Sequence, residues 1–145
     1  MSAPPAPRPC VSCPYRRDVP SGIWDASEYA KLPGYDGPTF AQPAALFLCH
    51  QHDRGDDGAR VCGGWAGCHD GNELLALRMA VSSREVTVDV ADAIRDYVSP
   101  VPLFASGAEA ADHGMREIHQ PSPAACTAMT KITRIRSDPQ RTDHA

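Results

Sequence analysis

The cysteine pair in Cys10-Val11-Ser12-Cys13 is the feature that most constrains what this chain can fold into. A two-residue gap lets a tight turn direct both sulfurs to one point and offer its amide groups to the thiolates. One such pair is half of a four-ligand metal site. Cys49, Cys62 and Cys68 can supply the other half, because an apolar run precedes Cys49 and two glycines follow Cys62. The sequence therefore predicts a four-sulfur metal site closed by distant parts of the chain.

Two cofactors suit four sulfurs equally well. Zinc takes four ligands in a tetrahedron, and a cubane iron–sulfur cluster also takes four thiolates. Neither the number of cysteines nor their spacing separates the two. We favour zinc, with an iron–sulfur cluster as the alternative, because a redox-neutral structural role is the simpler demand.

Histidines beside the cysteines leave the choice of fourth ligand open. In a strand, His50 points away from Cys49, so core packing is as good an account of it as ligation. His52 fits a solvated loop, and His69 beside Cys68 has the same ambiguity as His50. Cys126, alone in a predicted helix, is expected to be a small buried hydrophobe.

The length of 145 residues suits one domain with one modest core and excludes a large multidomain enzyme. With 14 prolines and 11 glycines, the chain is expected to be rich in loops. We predict a disordered proline-rich leader over 1–9, a single metal-binding domain over 10–136 and a disordered tail over 137–145. The expected fold is a small, loop-rich, metal-stabilised α+β domain with several short helices and few strands.

Local patterns place these elements along the chain. Asp25 and Glu28 predict a capped helix through Leu32, and the apolar residues of 44–49 predict a buried strand. Asn72 and Asp89 are the predicted N-caps of helices over 73–81 and 90–98. Further helices are expected from Ser106 to Gly114 and from Ser122 to about Arg136.

Hydropathy predicts a soluble cytoplasmic protein with no membrane contact. No stretch approaches the roughly 18 apolar residues of a membrane span, and the N-terminus lacks the apolar core of a signal peptide. Thiols stay reduced in the cytoplasm, which favours metal ligands over disulfides. The formal net charge of −4 excludes a basic surface that would bind nucleic acid non-specifically.

Two roles are open to the residues after Cys13. Arg16 and Arg17 can contact phosphate while Tyr15 stacks on a base, or Arg16 can have an internal role. We favour the internal role, in which Arg16 pairs with Asp18 or donates to a carbonyl near the site. Trp24 and Trp65 are likewise expected to be core residues that cover the metal site.

Catalytic motifs do not stand out. The chain has no Gly-x-Ser-x-Gly elbow, no Gly-Lys-Ser/Thr phosphate loop and no His-Glu-x-x-His. A zinc-dependent hydrolase is permitted as an alternative, with three cysteines and a water on the metal and with His69 and Asp70 as acid–base neighbours. We therefore favour a binding or regulatory module with a protein partner over an enzyme.

Three segments together resemble a known group of proteins. They are Cys10-x-x-Cys13-Pro14-Tyr15-Arg16-x-Asp18, Phe47-x-Cys49-His50-Gln51 and Cys62-x-Gly64-Trp65. This pattern resembles a group of small uncharacterised proteins from actinobacteria and their phages, over roughly residues 10–80. The resemblance implies a bound zinc or iron–sulfur centre with Cys10, Cys13, Cys49 and Cys62 as ligands and Cys68 outside the set.

A second resemblance covers less of the chain. Cys13-Pro14-Tyr15-Arg16 and Gly22-Ile23-Trp24 are similar to fragments of the WhiB-like iron–sulfur regulators, in which the Gly-Val/Ile-Trp turn contacts a sigma factor. Those proteins place a further cysteine after the arginine, and this chain has none between Arg16 and Trp24. The resemblance implies an alternative function, a redox-sensing iron–sulfur protein that contacts transcription machinery or nucleic acid.

Overall fold

Short helices and turns make up most of the regular structure in the computed structural model, which describes residues 1–49 and 59–133. The α-helices are α1 (Ala26–Tyr29), α2 (Gly63–Cys68), α3 (Leu75–Ser82), α4 (Val88–Asp96), α5 (Gly107–Arg116) and α6 (Pro123–Thr133). Turns of 3₁₀-helix lie at Pro33–Asp36, Thr39–Ala41 and Gly71–Glu73. The first 3₁₀ turn and α1 both pack against α5.

Two helix starts were predicted correctly from their caps. The Asp25 carboxylate accepts a hydrogen bond from the Ser27 amide at the start of α1. The Ser106 hydroxyl accepts one from the Glu109 amide at the start of α5, at 3.1 Å. Each satisfies an amide that the first helical turn leaves without a partner, which is why the two patterns identified the helix starts.

Two other predicted caps were wrong by two residues. The Thr87 hydroxyl, rather than Asp89, caps α4 by accepting from the Val90 amide at 3.1 Å. Before α3, Asp70 accepts from the Asn72 amide at 3.0 Å and folds the next three residues into a 3₁₀ turn. Helix α3 therefore begins at Leu75 rather than at residue 73.

Gly114 does not end α5, which continues to Arg116. Its place is set by packing, because a Cβ at Gly114 would overlap the Tyr29 ring. The carbonyl of Gly114 also accepts from the Gly22 amide at 2.8 Å. The glycine thus lets α5 lie directly on the segment that contains α1.

Extended structure is confined to isolated bridges among the described residues. The predicted strand over 44–49 forms a single antiparallel bridge, between Leu48 and Val61. On the other side of the 59–62 segment, Ala3 pairs in parallel with Arg60. The expectation of few strands is confirmed, and in this three-segment patch residues 47–49 and 59–62 meet the N-terminus.

The leader over 1–9 is packed against the domain, in contrast to the disorder that its proline content predicts. The Ser2 amide donates to the Glu85 carbonyl at 2.9 Å, and the Tyr97 hydroxyl donates to the Pro7 carbonyl. Pro9 accepts from the Arg16 guanidinium at 3.1 Å. An extended proline-rich backbone leaves its carbonyls free to accept such bonds. The predicted tail over 137–145 lies outside the described residues.

Aromatic side chains form the centre of the core. Tyr15, Trp24 and Trp65 are all fully buried, which confirms that the two tryptophans are core residues. The Trp24 indole donates to the Ser12 carbonyl at 2.9 Å and so ties the core to the turn between Cys10 and Cys13. No described helix is both long and apolar enough to cross a bilayer.

Candidate metal centre

The Cys10–Cys13 segment is a closed turn. The Cys13 amide donates to the Cys10 carbonyl at 3.0 Å, and the Arg16 amide donates to the Cys13 carbonyl at 3.1 Å. The bond from Trp24 to Ser12 holds this turn from the core side. Both sulfurs are therefore carried on backbone whose conformation is fixed by hydrogen bonds.

Cys49 and Cys62 reach the same region through the antiparallel pairing of their segments. The Cys49 amide donates to the Arg60 carbonyl at 2.8 Å, and the Cys62 amide donates to the Phe47 carbonyl at 2.8 Å. Cys62 also caps α2, where its sulfur accepts from the Trp65 amide at 3.5 Å. The chain reversal between the two segments thus brings two more sulfurs towards the Cys10–Cys13 turn.

The four predicted sulfurs are neighbours in the order Cys62, Cys13, Cys10 and Cys49, and we call this group the row. The Sγ atoms of Cys13 and Cys62 are 3.7 Å apart. The side chains of Cys13 and Cys49 are the two that most affect the ionisation of the Cys10 thiol. Two thiolates on one tetrahedral zinc ion, each at about 2.3 Å from the metal, are about 3.8 Å apart. The Cys13–Cys62 distance therefore matches the spacing that a shared zinc ion requires.

Gly64 makes room for this row. A Cβ at Gly64 would overlap the Cys13 sulfur and would lie 2.7 Å from the Tyr15 Cβ. The Tyr15 amide, two residues after Cys13, favours the ionised form of the Cys13 thiol. Together with the amide of Trp65 on Cys62, it supplies the N–H donors that stabilise metal-bound thiolates.

The environment of Cys10 and Cys13 opposes ionisation of their thiols. The hydrogen bond with Cys13 is the main cause that raises the pKa of Cys10 to about 12. Burial raises the pKa of Cys13 well above its ordinary value. A metal ion would remove these protons on binding, because only the thiolate is a ligand.

A cavity of about 220 Å³ opens beside the Cys10–Cys49 end of the row. Arg8 and Arg60 line it together with these two cysteines. Cys13 and Cys62, by contrast, are buried in the core. The row thus has one end within the core and one end next to two guanidinium groups.

The sulfurs form a row rather than a closed tetrahedron. Within 1–49 and 59–133, no three His, Cys, Asp or Glu side chains converge closely enough to hold an ion as they stand. His50 and His52 lie outside the described residues, so neither is placed relative to the row.

Cys68 and Cys126 are separate from the row. Burial, followed by the charges of Asp36 and Glu109, raises the pKa of Cys68 to about 12. Cys68 lines a different cavity, beside His69. Cys126 is partly buried on α6 and packs against the core.

His69 has neighbours that the sequence did not predict. Its Nε2 atom lies 3.5 Å from the Tyr15 hydroxyl, and its Nδ1 atom lies 3.8 Å from the Asp36 carboxylate. Asp70, the predicted acid–base neighbour, instead caps the 3₁₀ turn that follows it. Asp36 is distant in sequence and shares no local motif with His69, so no spacing signal could have identified the pair.

Arg16 and Tyr15 both act inside the domain. Arg16 donates to both carboxylate oxygens of Asp18, at 2.8 and 2.7 Å, as well as to the Pro9 carbonyl. The Asp18 carboxylate raises the pKa of Arg16. Tyr15 is fully buried, so its ring is not available to stack on a base. The internal role favoured for Arg16 is confirmed.

Comparison with known proteins gives one match. The model of a family of unknown function (DUF6283) matches residues 5–136, a range that includes all four cysteines of the row. No curated protein and no solved structure shows a significant match to the chain.

Proposed function

We propose, for a chain that belongs to the DUF6283 family of unknown function, that Cys10, Cys13, Cys49 and Cys62 together hold one structural zinc ion. The observation that carries the proposal is the row of four thiols from three separate segments, with 3.7 Å between the Cys13 and Cys62 sulfurs. A shared metal ion would give all four thiols the same partner.

The surroundings of the row support this assignment. Four thiolates around one Zn²⁺ carry a net charge of −2, which is costly in a buried place unless it is compensated. Arg8 and Arg60 lie beside the open end, and the amides of Tyr15 and Trp65 point at the sulfurs of the buried end. Compensating charge is therefore available at the open end and N–H donors at the buried end.

Four sulfur ligands would leave zinc with no open position for a substrate or an activated water. The metal would then stabilise the fold and take no part in a reaction. We accordingly infer that the protein is a binding or regulatory module, with a protein as its partner, and that the zinc ion fixes the three segments that surround it.

Metal content tests the zinc site directly. The full-length protein is purified anaerobically, and its bound metal and its ultraviolet–visible spectrum are measured. We expect a colourless protein with about one zinc per chain. A brown protein that absorbs visible light would replace zinc by an iron–sulfur cluster on the same cysteines.

Two cysteine variants give a matched comparison. Cys62→Ser should lose the zinc and unfold, because a structural zinc contributes about 10–16 kcal/mol, as much as a whole domain's stability. Cys126→Ser removes a thiol away from the row and should keep the zinc and the melting temperature. A folded, metal-free wild-type protein whose melting temperature is indifferent to a chelator would contradict the proposal.

A further inference from the structure

The row of four thiols is open to solvent at one end only. Cys13 and Cys62 have 0% and 2% of their surface exposed, whereas Cys10 and Cys49 are both partly exposed. Cys10 and Cys49 also line the same cavity, of about 220 Å³. This volume admits a molecule as small as hydrogen peroxide, since one water molecule takes up about 30 Å³ of the liquid. A small solute can therefore reach two of the four sulfurs in the folded protein.

The other end of the row is closed by packing. Gly64 lies so near Cys13 that a Cβ on it would overlap the Cys13 sulfur. The Cys62 sulfur accepts a hydrogen bond from the amide of Trp65, whose side chain is itself fully buried. A reagent that enters from solvent therefore meets Cys10 and Cys49 first.

The wall of the cavity suits a reaction in which negative charge develops. Arg8 and Arg60 line it, and none of its described lining residues is an aspartate or a glutamate. When a thiolate attacks a peroxide, the O–O bond breaks and the departing oxygen takes up negative charge. Positive groups nearby stabilise that charge. The charge of the wall therefore has the sign that favours attack by a thiolate on a peroxide.

We propose that Cys10 and Cys49 form a modification site, at which hydrogen peroxide converts the two thiolates into a disulfide and frees the zinc ion. The inference rests on the zinc site proposed above and deepens it. The same four cysteines would then hold the metal under reducing conditions and release it under oxidising ones.

The reaction proceeds in two steps. One of the two thiolates attacks a peroxide oxygen, so that an S–O bond forms, the O–O bond breaks and hydroxide leaves, which gives a sulfenic acid. The other thiolate attacks the sulfur of the sulfenic acid, an S–S bond forms and a second hydroxide leaves. Two protons from solvent convert the hydroxides to water. The two sulfurs together lose two electrons, and the peroxide gains them.

The disulfide leaves too few ligands for the metal. A structural zinc site takes four protein ligands, and after oxidation only Cys13 and Cys62 of the row are still able to act as thiolates. The binding free energy of a structural zinc is also folding free energy, so it is lost with the metal. Oxidation should therefore lower the melting temperature as well as the zinc content.

Zinc release tests the coupling between oxidation and metal binding. The full-length protein is loaded with zinc, its metal content is measured, and it is then treated with hydrogen peroxide in the presence of a coloured zinc indicator. We expect about one zinc ion to be released for each disulfide formed. Dithiothreitol with added zinc should restore the metal content and the melting temperature, because a disulfide is reversible and higher oxidation of sulfur is not.

Mass spectrometry locates the disulfide. After a short exposure to peroxide the remaining thiols are alkylated, and the protein is digested with trypsin. Cys10 and Cys13 share the tryptic peptide that ends at Arg16, so fragmentation of that peptide tells them apart. We expect Cys10 to be joined to Cys49, with Cys13 and Cys62 alkylated.

A variant without the two cysteines outside the row is the matched control. Cys68→Ser and Cys126→Ser together leave the row intact, so peroxide should release zinc from this variant at the wild-type rate. If release needs either of these thiols, the disulfide between Cys10 and Cys49 is not its cause.

The results that would overturn the inference are distinct from failure of the zinc site alone. Untreated protein that holds no zinc would remove both proposals. Protein that holds zinc and keeps it under peroxide would leave the zinc site and remove the modification site. A disulfide between Cys13 and either Cys10 or Cys62, with Cys49 alkylated, would contradict the pair assigned to the open end.

Discussion

Gly64 shows how a single residue decides whether the sulfurs can meet. Its missing side chain is the space that the Cys13 sulfur and the Tyr15 Cβ occupy. Gly64 lies in α2, where glycine costs roughly 1 kcal/mol relative to alanine. The chain therefore gives up helix stability at this position, and the close approach of Cys13 is the reason.

Gly64→Ala should destabilise the protein by at least about 1–3 kcal/mol, since overpacking in a core outweighs the gain in helix propensity. Urea denaturation followed by circular dichroism measures the change. Gly37→Ala is the control, because the nearest atom to a Cβ at Gly37 is at 3.7 Å and its φ of −73° suits alanine. Equal effects of the two substitutions would show that the contact with Cys13 is unimportant.

Sequence analysis identified the residues whose roles can be inferred from their immediate neighbours in the chain. The cysteine pair, the two buried tryptophans and the Arg16–Asp18 pair are all recognisable from neighbouring positions. Asp36 beside His69 is not, because the two come from different turns that are brought together by tertiary packing alone. Such a juxtaposition has no spacing from which it could be predicted.

Helix starts illustrate what determines structure at the scale of an element. Both Thr87 and Asp89 are good capping residues, so propensity alone does not choose between them. In the structure Thr87 is the cap, because its hydroxyl accepts from the Val90 amide, and the helix that begins at Val88 buries Ala91 and Ile94. Sequence analysis therefore identified the helix and its apolar face but misplaced its first residue.

Thr87→Ala should cost about 1 kcal/mol of unfolding free energy, because it removes the hydroxyl that accepts from the Val90 amide. Asp89→Ala should cost less, about 0.3–1 kcal/mol, since Asp89 only interacts with the helix dipole in the first turn. Urea denaturation of both variants measures the order of the two effects. A larger loss for Asp89→Ala would identify Asp89 as the cap after all.

For the molecule as a whole, His69 links stability to pH. Burial lowers the pKa of His69 in the folded state below the value of about 6.5 that it has in the unfolded chain. A lowered pKa contributes stability that is present above about pH 6.5 and is lost as the pH falls towards the folded-state pKa. The unfolded chain then takes up a proton that the folded protein resists.

His69→Gln should therefore reduce the loss of unfolding free energy between about pH 7 and pH 5, by less than about 1.4 kcal/mol per pH unit. Urea denaturation at several pH values gives the slope. His119→Gln changes an exposed histidine and should leave the slope as in the wild type. If both variants have the wild-type slope, His69 does not couple folding to pH.

Long-range pairing is the part of the fold that the sequence predicted least well. The leader over 1–9 carries no periodic pattern, and its order comes from partners such as Glu85 and Arg16, far along the chain. The strand over 44–49 was expected from its apolar residues, but only Leu48 bridges to Val61. Composition indicates the conformation that a segment prefers in isolation. The conformation of these two segments is instead determined by their contacts with distant residues.

The separation of Cys13 and Cys62 by 49 residues sets an order of events during synthesis. A ribosome that adds about 5–20 residues per second needs about 2 to 10 s to extend the chain from the first of these thiols to the second. Until Cys49 and then Cys62 are added, the N-terminal pair lacks the other cysteines of the row. In the nascent chain these two thiols are therefore open to oxidation or to metal binding before the rest of the row has been synthesised.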